Sequence, residues 1–306
     1  MILILEIVIS ILIILLIFLV VIGFYLASYS MKIDGQTLEE ALDWQMSHYD
    51  LSWFKEEMLE PVIVKSFDDY ELHTYFLRAE SDNGKYVIIS HGYTDNHYGA
   101  LKYADIYRDM GFNIIIYDLR GHGSNEKTFC TYSVRERKDL MCIIEDTYKR
   151  YGNVFCLGIH GESLGAATSI AVLEYNPQVR FVVCDCGFSD IVPVLKNGLK
   201  HMHLPEVLVN AANICAQIKY GFSYKEMKPI DSLANSKAPV LYIHGGLDDF
   251  IFPWHTKEMY DKTNGYKEYC LIENAGHAGS VIEDHKKYKE AVEGFLTNVL
   301  GEEVVS

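Results

Sequence analysis

Short, continuous apolar runs alternate with helix-like stretches along most of this 306-residue chain, and that alternation limits the fold more than any other feature. YVIISHG, NIIIYDLRGHG, NVFCLGIHG, VRFVVCDCGF, APVLYIHGG and YKEYCLIENAGH each read as a buried strand with its exit loop. ALKYADIYRDMG, RERKDLMCIIEDTYKRYG and EDHKKYKEAVEGFLTNVL read as helices between or after them, the first two stopped by Gly111 and Gly152. Strands that are apolar throughout, rather than at every second residue, are buried on both faces. The expectation is therefore an α/β fold with a mostly parallel central sheet and helices on both faces. VIVKSF and ELHTYFLRA, joined at Asp68-Asp69, read as an early hairpin. Between Phe188 and Lys237 the strands stop, and HMHLPEVLVNAANICAQIKYGFSYKEM is helical in pattern. This reads as a small helical cap over about residues 188–237.

The N-terminus is of another kind. From Ile7 to Met31 no residue is charged, a run longer than the roughly 20 residues that cross a bilayer as a helix. Tyr25 and Tyr29 fall near its end, where interfacial aromatics are expected. A cleaved signal peptide would need a basic leader, a shorter apolar run and a small-x-small cleavage site, and LASYS is a poor one. The reading is a transmembrane anchor over residues 1–31, an amphipathic connector over 32–60, and one α/β domain over 61–306. Lys32 after the span and the scattered cysteines favour a cytoplasmic domain. Seven cysteines without a CxxC pair make neither a disulfide framework nor a thiolate zinc site. A net charge of -15 argues against nucleic acid as a partner, because a phosphate backbone needs a basic surface.

Gly161-Glu162-Ser163-Leu164-Gly165 fits G-x-S-x-G, placed between a buried strand and a helix. There the serine occupies a sharp turn that lifts its hydroxyl above the sheet, and glycines two residues to either side avoid collision. A serine hydroxyl needs a base. Of 12 histidines, His277 follows the last strand in the loop Asn-Ala-Gly-His-Ala-Gly and can reach the sheet edge where ligands bind. The acid should follow the penultimate strand, at Asp248 in HGGLDDFIFP. Its neighbour Asp249 stays open, and Asp185 and Asp190 rank below it. The oxyanion donors are the backbone N–H of Leu164, directly after the serine, and that of Tyr93 in Ser90-His91-Gly92-Tyr93.

HGYTDN, YDLRGHGSN, GESLGAAT, DCGFSD, IHGGLDDFIFP and NAGHAGS together give a resemblance that runs from about Tyr86 to Leu296. The chain resembles α/β-hydrolases of the serine aminopeptidase and prolyl-oligopeptidase-related group, and among them the N-terminally anchored bacterial hydrolases related to ABHD-type proteins. The resemblance implies the α/β-hydrolase fold, a triad of Ser163, Asp248 and His277, oxyanion donors at Tyr93 and Leu164, and a structural role for Asp118, Arg120 and His122. It implies no metal or organic cofactor. Tyr93 stands where relatives often carry Phe or a smaller residue, and Phe252 where a proline is common. The expected activity is hydrolysis of a carboxylic ester or thioester, from a small-molecule or lipid acyl substrate. A peptidase for small peptides and a catalytically silent binding protein are the alternatives.

Overall fold

Eight strands form one sheet in the order β1-β2-β4-β3-β5-β6-β7-β8. They are β1 (Glu60–Lys65), β2 (Glu71–Leu77), β3 (Lys85–Ser90), β4 (Asn113–Tyr117), β5 (Cys156–Glu162), β6 (Phe181–Asp185), β7 (Val240–Gly245) and β8 (Lys267–Ile272). The computed structural model describes residues 2–81 and 83–302. Among the described residues ten α-helices accompany the sheet: α1 (Ile2–Met31), α2 (Leu38–His48), α3 (Leu101–Asp109), α4 (Glu136–Tyr151), α5 (Leu164–Ala171), α6 (Ile191–His201), α7 (Leu208–Tyr220), α8 (Trp254–Lys262), α9 (Ser280–Glu283) and α10 (His285–Leu300). The expected hairpin is β1 and β2, which pair antiparallel. β2 meets β4 antiparallel, and every pair from β4 through β3 to β8 is parallel.

Burial explains why the strands are apolar throughout. Val87, Ile89, Ile114, Ile116, Val183 and Ile243 share a core with Leu101, Ala104, Tyr288, Val292 and Phe295 from α3 and α10. The alternate residues Ile88, Ile115, Leu157, Ile159, Val182 and Cys184 are just as buried. Both faces are therefore covered, as a parallel sheet requires. α10 buries Tyr288, Val292, Phe295 and Leu296, one stripe at helical spacing.

The chain forms two compact units. The larger, Ile33–Ser189 with Lys228–Ser306, holds the whole sheet. The smaller joins Met1–Lys32 to Asp190–Met227, and so contains α1, α6 and α7. Within it the helical pattern from His201 to Met227 is broken in two. Helix α6 begins earlier, where the Asp190 carboxylate accepts from Val192 N–H at 2.8 Å. It ends before His203, which takes a left-handed φ of 58°, and the chain turns again from Pro205, whose carbonyl accepts from Leu208 N–H at 3.1 Å, into α7.

The topology also selects one point on the sheet. From β3 the chain crosses to β4 on one side, and it then returns to β5 on the other. Neighbouring loops leave β3 and β5 in opposite directions, and the crevice this opens at the carboxyl ends is where open α/β sheets bind ligands.

Candidate active site

Ser163 stands at the end of β5 and the start of α5, with φ 52° and ψ -109°. A non-glycine residue adopts such a backbone only where its surroundings enforce it. Those surroundings are tight. A Cβ on Gly161 would lie 2.2 Å from the Gly165 carbonyl oxygen, and one on Gly165 would lie 2.2 Å from that of Ser90. The glycines are thus demanded by contact between β3, β5 and α5, and Ser163 N–H donates to Asp185 O at 2.9 Å to pin the turn to β6.

His277 and Asp248 converge on this serine. Ser163 Oγ lies 2.9 Å from His277 Nε2, and His277 Nδ1 lies 2.7 Å from Asp248 Oδ2. The acceptor on the carboxylate fixes the tautomer: Nδ1 carries the proton, and the Nε2 lone pair faces the hydroxyl. The loops that carry acid and base are tied together, with Leu247 N–H donating to Ala275 O at 2.9 Å and Gly246 N–H to Ile272 O at 2.8 Å. Asp248 is 2% exposed. Its other oxygen accepts from the backbone of Phe250 and Ile251 at 3.0 and 2.9 Å. Burial pushes its pKa up, but hydrogen bonds from His244 and His277 outweigh it and hold the carboxyl well below the usual range. Asp249 is exposed. Asp185 instead accepts from Tyr103 Oη at 2.9 Å, and Asp190 caps α6.

The loop after β3 reaches the serine as well. A Cβ on Gly92 would lie 3.8 Å from Ser163 Cβ. Two buried histidines hold this loop to the one after β4. His91 Nε2 accepts from Leu119 N–H at 2.9 Å, and His122 Nε2 donates to Tyr93 O at 2.8 Å. Burial drives the pKa of His91 down to about 3, so it is a neutral strut, and lowers that of His122. Arg120 binds Asp68 and Asp139, and Asp118 accepts from His97 and Ser124. Both hold loops in place.

Two parts of the site escape a reading of the sequence. His244 Nε2 lies 3.1 Å from Asp248 Oδ2, so one carboxylate oxygen serves two imidazoles. Its place four residues before Asp248, at the end of β7, was the available hint. The other is a buried charge cluster under the turn. Glu162, the first variable residue of G-x-S-x-G, pairs with Lys102 and accepts from Tyr103 Oη at 2.5 Å. Burial, with Glu162 alongside, raises Asp185 to about 6. Nothing in the motif announces this, because Lys102 and Tyr103 come from α3, sixty residues upstream.

Residues 99–303 match the prolyl oligopeptidase family. The chain belongs to that family. The Bacillus subtilis protein YqkD is 30% identical over 241 residues, 78% of this chain and 79% of its own. A Pyrococcus furiosus esterase superposes with a TM-score of 0.67 at 20% identity, covering 88% of this chain and 99% of the esterase. An acylaminoacyl peptidase from Pyrococcus horikoshii superposes at 0.63 and 16% identity, covering 84% of this chain and 45% of the peptidase. This prolyl-oligopeptidase-family chain is accordingly a hydrolase with the α/β-hydrolase fold, with an N-terminal helix long and apolar enough to cross a membrane.

Proposed function

We propose that the chain is a membrane-anchored serine hydrolase that cleaves a carboxylic ester or thioester through an acyl-enzyme on Ser163. The observation that carries the reading is the order of the contacts: hydroxyl to Nε2, Nδ1 to a buried carboxylate, at a serine held in a strained turn. Ser163 Oγ attacks the acyl carbon while its proton passes to His277 Nε2. The carbonyl oxygen becomes an oxyanion held by the N–H groups of Leu164 and Tyr93. Collapse expels the alcohol or thiol, which takes the proton from His277. Water then attacks the acyl carbon through the same base, releasing the acid and restoring the Ser163 hydroxyl. The ionised Asp248 stabilises the imidazolium in both steps.

An apolar acyl group suits the aromatic row that starts beside Gly92. Tyr93 stacks on Tyr132 at 5.8 Å, and Tyr132 meets Phe188 at 6.4 Å. Helix α1 is read as a single membrane span, since residues 2–21 are exposed and, apart from Glu6 and Ser10, apolar. The family match supports a second reading, a peptidase for small peptides.

The test is labelling of the full chain, in detergent or liposomes, by a fluorophosphonate probe, followed by hydrolysis of acyl esters, acyl thioesters and aminoacyl amides. Labelling should vanish in Ser163→Ala, fall sharply in His277→Ala and Asp248→Asn, and persist in Asp249→Asn. A folded wild type that takes no label overturns the serine mechanism. Faster turnover of amides than of esters and thioesters transfers the assignment to a peptidase.

A further inference from the structure

Besides the side on which Val209, Ala212 and Ala216 are buried, helix α7 has three faces. One faces α1. Gly23 is so close that a Cβ there would lie 2.8 Å from Cys215 Sγ and 3.1 Å from Ala211 O. Cys215 Sγ lies 3.9 Å from Val20 O, and Lys219 Nζ donates to Ser28 Oγ at 2.7 Å. Beyond the helix, Tyr224 Oη meets Ser30 Oγ at 2.6 Å. The contacts advance along α1 and along the α7 segment together, so the two run side by side. Glycine and alanine at the closest approach are what membrane helices use to bring backbones together. A second face carries Glu206, Asn210 and Gln217, all exposed and polar.

The third face is apolar and uncovered. Val207, Ile214 and Ile218 recur at helical spacing and form one strip. Val207, Ile214 and Ile218 are 66%, 59% and 69% exposed. At 100° per residue the strip lies between the α1 face and the polar face. It therefore continues the apolar surface of α1 directly across the seam. The seam spans Val20 to Ser30 of α1, the level of the exposed, stacked Tyr25 and Tyr29, where aromatic side chains mark a membrane–water boundary. Charge agrees. Residues 190–227 carry Lys196, Lys200, Lys219 and Lys225 against Asp190, Glu206 and Glu226, net +1 within a chain of net -15. The small unit is thus not repelled by an anionic leaflet, whereas the rest of the chain is.

We propose that α7 is an interfacial membrane helix, docked along α1 and immersing the Val207–Ile214–Ile218 strip in the edge of the lipid hydrocarbon. The cap is then part of the membrane-bound body rather than an element tethered to it by a linker. The proposal rests on the reading of α1 as a membrane span, and the test separates the two.

Full-length protein is reconstituted in liposomes containing lipids brominated on their acyl chains, and tryptophan is placed at single sites. The native Trp44, Trp53 and Trp254 contribute the same background to every variant. Bromine quenching should be severalfold stronger for Ile214→Trp and Ile218→Trp than for Gln217→Trp on the polar face. Leu12→Trp, inside α1, reports the anchor. Quenching at Leu12→Trp with none beyond the Gln217→Trp level at 214 and 218 overturns the proposal and leaves the anchor standing. No quenching at Leu12→Trp removes the anchor, and this proposal with it. Should a substitution at 214 or 218 lower the thermal midpoint, Val207→Trp reads the same strip.

Discussion

Two places in the larger unit hold a serine, a histidine and a carboxylate within hydrogen-bond reach. At Ser163 the imidazole is the middle member, bridging hydroxyl and Asp248 through its two nitrogens. At Ser189 the hydroxyl is the middle member. Ser189 Oγ lies 2.9 Å from His255 Nδ1 and donates to Glu258 Oε2 at 2.7 Å. The same Nδ1 accepts Ser189 N–H at 3.2 Å. The same three functional groups thus give two unlike devices. In the first a proton leaving the hydroxyl finds a base whose cation is stabilised behind it. In the second no carboxylate among the described residues stands behind the imidazole, and burial drives its pKa down to about 3. It is a neutral acceptor that fixes the loop after β6. Backbone strain separates them too, since Ser163 has a positive φ and Ser189 does not.

The largest effects should come from the serines. Ser163→Ala should cost roughly 10⁵- to 10⁶-fold in kcat against an acyl ester. Ser189→Ala should hold kcat within a few-fold and lower stability by about 1–2 kcal/mol, read by urea unfolding. Equal losses of activity would erase the distinction. The carboxylates come next. Asp248→Asn should cost roughly 10⁴-fold in kcat by offering His277 the wrong partner, whereas Glu258→Gln should leave turnover near wild type.

The smallest effect is one of pH, and it has opposite signs at the two places. Beneath Ser163, Asp185 is raised to about 6, so the folded chain binds its proton more tightly than the unfolded chain. Stability is lost from this group as pH rises from about 4 to 6. His255, lowered to about 3, binds its proton less tightly when folded, and its contribution is lost as pH falls below about 6.5. Asp185→Asn should therefore gain stability over wild type between pH 4 and 6, on the order of 1–2 kcal/mol, seen as a thermal midpoint that falls less as pH rises. A parallel pH profile for the two proteins would show that Asp185 ionises normally.

Much of this was legible in residue order. The apolar runs from Tyr86 to Leu271 became β3 to β8 because a strand covered on both faces must be apolar throughout. Gly161 and Gly165 were readable because the turn between them leaves no room for a Cβ. Ser163 and His277 stood out by their position after strands. Asp248 and Asp249 did not separate, since adjacent carboxylates in a loop differ only in direction. Only the backbone course after β7 turns one inward to 2% exposure and leaves the other in solvent.

Sequence by itself therefore determined the sheet, the strained turn and the apolar N-terminal helix, because each is written in neighbouring residues through periodicity or steric demand. Tertiary structure alone decided the second imidazole on Asp248, the Lys102–Glu162 pair beneath the nucleophile, and the packing of α7 on α1. Those depend on which side chains meet across 4, 60 and some 190 positions of chain, and contact at such separations is set by how elements pack, which local composition does not encode.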